Sequence, residues 1–350
     1  MRHNAHIMHN THTRTDQPLP LGKLPAEHLA RLLARFPIQD PRVIVGPRVG
    51  EDAAVLDMGQ RYLVAKSDPI TFATDAIGWY AVHVNANDVA CTGAEPRWFL
   101  ATLLLPEGQA DADMAQDILT QITRACQEVG AVLVGGHTEI TYGLDRPIVV
   151  GAMLGEVLPE RLVTTGGARP GDVVLFTQRL AVEATAIIAQ EKRAELIQHH
   201  GLSAEYVDRC ANFIYRPGIS VVPAAQIATG AAPIHAMHDP TEGGLATGLW
   251  ELAAAAEVGL EIMAQAVPIY PETRALCDAY GLDPWGVIGS GSLLLTLNPA
   301  HTQQVCDALT EAGIEVTSIG RVTPREDGVT LKGGLPLPTF ARDEIARLFE

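Results

Sequence analysis

Three carboxylates in the first third of the chain stand where a ligand could reach them. Asp52 leads directly into an apolar run, and Asp68 stands before Pro69, which holds its backbone extended. Asp88 follows Asn87 inside a stretch that is otherwise apolar with helical spacing. Hard oxygen ligands of this kind select Mg²⁺ over softer metals. The set is typical of a site where Mg²⁺ neutralises a nucleotide triphosphate, and no Walker-type G-x-x-x-x-G-K-[ST] loop occurs in the chain.

Two glycine-containing segments could approach a phosphate. Gly135-Gly136 follows an apolar run and precedes His137-Thr138-Glu139, and glycines let backbone N–H groups approach an anion closely. The segment 238–244 carries Asp239 and Glu242 and leads into a helix, whose first N–H groups favour anions. Both segments are therefore candidate parts of a nucleotide site.

Each of these segments, taken singly, also has a structural explanation. Asp52 could belong to a polar turn, Asp68 to an Asp-Pro turn, and 238–244 to a helix-capping loop. The run 85–88, Asn-Ala-Asn-Asp, is harder to explain in this way, because an unpaired buried polar group costs ~1–3 kcal/mol. We predict that a metal or a ligand supplies its partners.

Apolar periodicity locates the elements that must hold these residues. Strands and helices alternate in both halves without a strict βαβ rhythm, which predicts an α+β, or mixed α/β, fold in two domains. The run Gly289-Ser290-Gly291-Ser292 is interpreted as a flexible turn. The predicted helices are 25–36, 78–92, 111–129, 182–190, 221–228, 245–257 and 302–312, and the predicted strands are 53–56, 62–65, 98–105, 131–134, 148–154, 172–176, 234–237, 293–297 and 315–319.

Composition limits the kinds of partner. The chain has 350 residues and a formal net charge of −16, which disfavours nucleic acid or an anionic membrane as partner. No apolar run reaches the roughly 18 residues of a membrane span, and the five cysteines form no C-x-x-C pair, so a cytoplasmic protein is expected. We predict a disordered His-rich tail over 1–17 and domains over 18–157 and 158–350.

These segments, in this order and spacing, resemble the AIR-synthase-like (PurM-type) superfamily, most closely its HypE-like branch. The resemblance covers about residues 20–325. It rests on Gly22-Lys23-Leu24-Pro25, Gly50-Glu51-Asp52-Ala53-Ala54-Val55, Asn87-Asp88 with Gly93-Ala94-Glu95-Pro96, and Asp239-Pro240-Thr241 with Gly243-Gly244.

The resemblance implies an N-terminal αβ domain that binds ATP and metal and whose sheet pairs with that of a second subunit, giving a homodimer. It implies a C-terminal α/β domain that closes over the ATP. The residues it assigns are Mg²⁺ ligands at Asp52, Asp68 and Asp88; nucleotide contacts at Asp68, Asn87, Gly135, Gly136, Thr138 and Glu139; and catalytic candidates at Lys23, His137, Asp239 and Glu242. The chemistry implied is phosphate transfer, or activation of a carbonyl or carboxamide oxygen, on a small-molecule or protein-borne acceptor.

Three departures narrow what the resemblance implies. HypE ends in a modified cysteine, whereas the last cysteine here is Cys306, so dehydration of a carbamoyl group on the chain's own tail is not expected. HypE has arginine at the position of Glu242, and the relatives have aspartate where this chain has His137. The open hypotheses are a HypE-like ATP-dependent enzyme, a kinase resembling thiamine-monophosphate kinase, and a non-catalytic nucleotide-binding assembly factor.

Overall fold

The computed structural model describes residue 24 and residues 26–48, 50–71 and 75–349. Lys23 and the predicted tail over 1–17 lie outside the described residues. The described helices are α1 (Ala26–Leu33), α2 (Ile77–Cys91), α3 (Ala112–Val129), α4 (Val182–Glu191), α5 (Arg193–Gln198), α6 (Ala204–Ala211), α7 (Val222–Ala231), α8 (Gly244–Ala256), α9 (Pro271–Tyr280) and α10 (Thr302–Glu311).

The strands of the described residues form two six-stranded mixed sheets, one in each domain, so the predicted mixed α/β class is confirmed. The first sheet has the order β1-β2-β3-β6-β4-β5 and the second has the order β12-β9-β11-β7-β10-β8. The strands are β1 (Val43–Val45), β2 (Ala54–Asp57), β3 (Tyr62–Ile70), β4 (Glu95–Pro106), β5 (Val132–Thr141), β6 (Ile148–Val157), β7 (Val173–Thr177), β8 (Ala236–His238), β9 (Gly259–Ile262), β10 (Leu294–Leu297), β11 (Val316–Thr323) and β12 (Val329–Leu331).

Helix α2 lies between the first sheet and the C-terminal domain. Fourteen of its fifteen residues are buried, which matches its apolar sequence on nearly every side. Gly151 of β6 lets the helix approach the sheet closely, because a Cβ at this position would lie 2.9 Å from the carbonyl oxygen of Ala81. This packing places the polar residues of α2 at the junction of the two domains.

Strand β3 is longer than the sequence predicts. Asp68 and Pro69 lie inside the strand, paired with Gly151 and Val150 of β6, and not in a turn after its end. Proline is tolerated here because β2 pairs with β3 only as far as Ala65, so the far side of Pro69 needs no N–H donor. Asp68 therefore has a fixed direction set by the sheet.

Strand β5 corrects the predicted glycine loop. Residues 135–139 continue the strand and pair in parallel with β4, Gly136 lying opposite Ala101. An added Cβ at Gly136 would lie 1.9 Å from the carbonyl oxygen of Ala101, so only glycine fits this register. The glycine signal thus reflects a close approach between two strands, and β5 forms an exposed edge of the sheet.

In the described part of the chain, no helix is long and apolar enough to cross a membrane.

Candidate active site

Lys66 lies between two of the predicted carboxylates. Its Nζ is 3.2 Å from Oδ2 of Asp68 and 3.0 Å from Oδ2 of Asp88. Lys66 and Asp68 share a face of β3 because they are two residues apart, and α2 brings Asp88 over that face. Burial opposes the charge on Lys66, but the charges of Asp88, Asp68 and Asp52 outweigh it, so the pKa of this ammonium is well above its ordinary value. Lys66 is therefore a fixed cation among the acids.

The C-terminal domain adds a fourth carboxylate to this cluster. Asp239 is 1% exposed, and its Oδ1 accepts a hydrogen bond of 3.3 Å from Sγ of Cys91, the last residue of α2. Burial, and then the charge of Asp52, raises the pKa of Asp239 to about 7. The charges of Asp239, Asp68 and Asp52 also act on buried Asp88, whose pKa is raised chiefly by burial. Asp52, Asp68, Asp88 and Asp239 thus form one acidic cluster across the two domains.

His238 ties Asp52 to the C-terminal domain. Its Nδ1 lies 2.9 Å from Oδ2 of Asp52, and its Nε2 lies 3.0 Å from Oε2 of Glu251. Burial opposes protonation, but the two carboxylates outweigh it and hold the pKa of His238 well above its ordinary value. The imidazolium therefore donates to both acids and orients the Asp52 carboxylate from outside the cluster.

The donor set fits a hard divalent cation. One ligand atom each from Asp52, Cys91 and Asp239 lies within 4.8 Å of the others, and Oδ2 of Asp239 is buried without a hydrogen-bond partner in the described structure. Burial and the neighbouring carboxylates raise the pKa of the Cys91 thiol, which keeps it protonated and a weak ligand. Oxygen donors therefore dominate the set, as Mg²⁺ or Mn²⁺ requires.

The two asparagines of α2 have protein partners, which corrects the prediction that a ligand satisfies them. Asn85 accepts a hydrogen bond of 2.8 Å from the backbone N–H of Asp68. The Asn87 side chain donates to the carbonyl of Ile219 and accepts from the N–H of Val221, both at 2.8 Å. The nitrogen and the oxygen of the Asn87 amide thus each make a hydrogen bond across the domain junction.

The remaining predicted site residues lie away from the acidic cluster. The segment from Gly135 to Glu139, including His137 and Thr138, is exposed on the edge strand β5. Three strand spacings, roughly 14 Å, separate Gly136 from Asp68 in the same row of the sheet. Glu242 lies on the turn before α8, where its charge acts on Glu183 and Asp343. The structure brings Asp239 into the cluster, and it does not bring His137 there.

Two family models match the chain. The model of the AIR synthase related protein N-terminal domain matches residues 50–157, and that of the C-terminal domain matches residues 169–332. The chain belongs to the AIR synthase-related family. A curated relative in this family is carbamoyl dehydratase HypE of Cupriavidus necator, which is 30% identical over 80% of this chain and 78% of its own length.

Solved structures of AIR synthase-related proteins share the fold. Hydrogenase maturation protein HypE in complex with ATP is 25% identical, with a TM-score of 0.67 over 93% of this chain and 97% of that one. A ThiL complex with AMPPCP and TMP is 24% identical, also with a TM-score of 0.67, over 84% of this chain and 91% of the other. The likeness to ThiL, at this identity, concerns the fold alone.

Sequence reasoning gave no role to three residues that contact the acidic cluster in this AIR synthase-related chain. Lys66 had a detectable signal, because it stands two residues before Asp68 and so shares its face of a strand. His238 immediately precedes Asp239, but its partner Asp52 is 186 positions away. Nothing in the sequence around Cys91 indicates its contact with the cluster, because its partner Asp239 lies 148 positions further along the chain.

We expect Asn87→Ala to weaken the fold and to spare nucleotide binding. Removing the side chain leaves the carbonyl of Ile219 and the N–H of Val221 unpaired, at about 2–4 kcal/mol in total. Thermal unfolding should show a lower melting temperature, while calorimetry should give an ATP affinity within about threefold of the parent. Asn298→Ala, which removes a single exposed cap, is the control. Lost ATP affinity at an unchanged melting temperature would instead support the predicted nucleotide contact at Asn87.

Proposed function

We propose that this chain is an ATP-dependent, Mg²⁺-dependent enzyme that phosphorylates an acceptor or activates its carbonyl or carboxamide oxygen. The observation that carries the proposal is the acidic cluster itself. Four carboxylates from two domains converge beside Lys66, and one carboxylate oxygen of Asp239 is buried without a partner. Without a ligand, such a group of repelling charges destabilises the fold, so a bound cation is the simplest explanation for it.

Each side chain in the cluster has a distinct part in this proposal. Asp52, Asp68, Asp88 and Asp239 would hold Mg²⁺, which supplies charge neutralisation at the triphosphate. Lys66 balances the carboxylates and stands beside the same oxygens, where its ammonium can turn toward a phosphate. His238 keeps the Asp52 carboxylate in place. Asp239 joins the domains through Cys91, so closure of the C-terminal domain would complete the site.

The relatives support this reading of the cluster. HypE is solved in complex with ATP, and curated HypE proteins are named carbamoyl dehydratases. Any nucleotide contact by His137, Thr138 and Glu139 would be made at the exposed edge of the sheet, away from the acidic cluster. Lys23 remains a candidate catalytic residue. All five cysteines are free thiols, as expected of a cytoplasmic enzyme.

We further propose that the chain forms a homodimer through the edge of the first sheet. Strand β5 ends that sheet, and Val132, Val134 and Ile140 on it are 60%, 53% and 57% exposed. An unpaired apolar edge of this length is a pairing surface. Sedimentation at micromolar concentration should give twice the mass of the chain, and a monomer mass there would contradict the proposal.

The central test is the Mg²⁺ dependence of ATP binding. We expect the parent to bind ATP more tightly with Mg²⁺ than without it, and Asp88→Asn to lose at least about tenfold of that affinity, because it removes one charged ligand and keeps the volume. Asp117→Asn, on the exposed face of α3, is the matched control. Equal Mg²⁺-dependent binding by the Asp88 variant, or no Mg²⁺ effect in the parent, would refute the assignment.

A further inference from the structure

Glu183 is a second buried carboxylate that the acidic cluster does not explain. It lies in the first turn of α4 and is 4% exposed. Its Oε2 accepts one hydrogen bond, 3.3 Å from the backbone N–H of Ser290, and it makes no ion pair with any lysine, arginine or histidine in the described chain. Burial, together with the negative charges of Glu242 and Asp343, raises the pKa of Glu183 to about 8. The protein therefore surrounds this acid with negative charge and gives it no cation.

Asp343, which lies near Glu183, is in contrast fully accounted for by the fold. Its carboxylate accepts hydrogen bonds from the N–H groups of Gly243 at 2.6 Å, Ile288 at 3.2 Å and Ile345 at 2.8 Å. These bonds fix the turn before α8 and the start of the last helical turn of the chain. Asp343 is thus structural, and Glu183 is the acid with unused hydrogen-bonding capacity.

Two buried hydroxyls around Glu183 also lack partners. Ser290, whose N–H contacts Glu183, is 1% exposed, and its Oγ has no hydrogen-bond partner in the described structure. The same holds for the hydroxyl of Tyr80, which lies in the first turn of α2 and is 1% exposed. Burial and then the charge of Glu183 raise the pKa of this phenol, so Tyr80 lies within range of that charge. Glu183 and Ser290 are therefore in contact, and Tyr80 of the other domain adds a second unpaired hydroxyl within range of the Glu183 charge.

The turn 239–243 joins this place to the acidic cluster. Asp239 at its start belongs to the cluster, and the carbonyl of Thr241 accepts a hydrogen bond of 3.2 Å from the N–H of Gly289, the residue before Ser290. One carboxylate with two hydroxyls offers too few oxygens to enclose a hard metal, but it suits N–H donors. Because the surrounding charge is negative, a cationic nitrogen is favoured over a neutral amide or an anion.

We propose that Glu183, Ser290 and Tyr80 form the acceptor subsite, and that the acceptor presents an ammonium or guanidinium group there. The inference rests on the proposed function, since it places the acceptor beside the nucleotide site. It specifies what the sequence left open: the acceptor carries a basic nitrogen. The Glu183 carboxylate binds this cation, and the hydroxyls accept its remaining N–H groups.

Methylguanidinium, methylammonium and methylurea distinguish the possibilities, because methylurea matches the shape of methylguanidinium without its charge. Ligand-observed NMR with the full chain should show millimolar binding of at least one cation and at least about tenfold weaker binding of methylurea. Glu183→Gln should weaken binding of the cation at least about tenfold. Glu205→Gln, at an exposed position on α6, should leave it unchanged. Ser290→Ala, which keeps the carboxylate, should weaken it severalfold.

ATP affinity measured by calorimetry on the same variants separates this inference from the proposed function. Glu183→Gln should bind Mg²⁺ and ATP within about twofold of the parent, which also shows that it is folded. Binding of methylurea equal to that of the cations, absence of cation binding, or unchanged cation binding in both Glu183→Gln and Ser290→Ala would overturn the subsite. Failure of the parent to bind ATP would instead overturn the proposed function and leave the cation result standing.

Discussion

Lys66→Met is expected to lower the unfolding free energy of the metal-free protein by about 3–5 kcal/mol. The substitution removes the only cation within 4 Å of Asp68 and Asp88 among the described residues, and it leaves the buried Asp88 carboxylate without a counter-charge. At about 2 °C for each kcal/mol in a chain of this size, the melting temperature should fall by at least about 5 °C. Lys192→Met breaks only a surface pair and should change stability by less than about 1 kcal/mol.

Mg²⁺ should reverse most of the loss in unfolding free energy of Lys66→Met, because the metal and Lys66 bind the same carboxylate oxygens. A ligand that binds only the native state stabilises it by an amount that grows with the logarithm of its affinity, and the variant should bind Mg²⁺ more tightly than the parent does. The melting temperature of Lys66→Met should therefore rise further with millimolar Mg²⁺ than that of the parent. ATP turnover by the variant should nevertheless stay low, since the ammonium beside the phosphates is lost. A variant that Mg²⁺ stabilises no more than the parent would contradict a shared site.

The elements that sequence predicts well are those fixed by local interactions. Helix α3 begins after Asp111, whose side chain accepts from the N–H of Met114 at 2.8 Å, and it ends at Gly130 with φ of 73°. Both the Asp111 cap and the glycine at the end of the helix can be recognised from a few neighbouring residues in the sequence. Strands β9 and β12 escaped prediction because each is short, four and three residues, and is held by pairing with distant strands.

The candidate site was predictable only in part, for the same reason. Asp52, Asp68 and Asp88 lie near enough in sequence to be read as one group, and all three are in the cluster. The Asn87 side chain, in contrast, finds its partners 132 and 134 positions away, at the junction of the domains. A buried polar residue on a helix must have hydrogen-bond partners, but the sequence does not show whether those partners belong to the protein or to a ligand.

Mg²⁺ binding is expected to strengthen about tenfold between pH 6 and pH 8. Asp239 must lose its proton to bind the metal, and its pKa of about 7 makes the ionised fraction rise from about one tenth to about nine tenths over this range. Calorimetry in buffers of different ionisation enthalpy should detect about half a proton released at pH 7.

Asp239→Asn should abolish this pH dependence and lower ATP turnover by at least about a hundredfold, because one charged ligand is lost where charge develops.

Ionisation of Asp239 has the opposite effect on folding stability: it strengthens Mg²⁺ binding but lowers the stability of the metal-free protein. The pKa of Asp239 is raised in the folded state, so its contribution to stability is full below pH 3.8 and is lost as the pH rises through about 7. The metal-free parent should therefore lose stability across that range relative to Asp239→Asn, and Mg²⁺ should remove the difference. If both proteins respond identically to pH, Asp239 does not titrate in this window. The pH dependence must then be assigned to another group of the cluster.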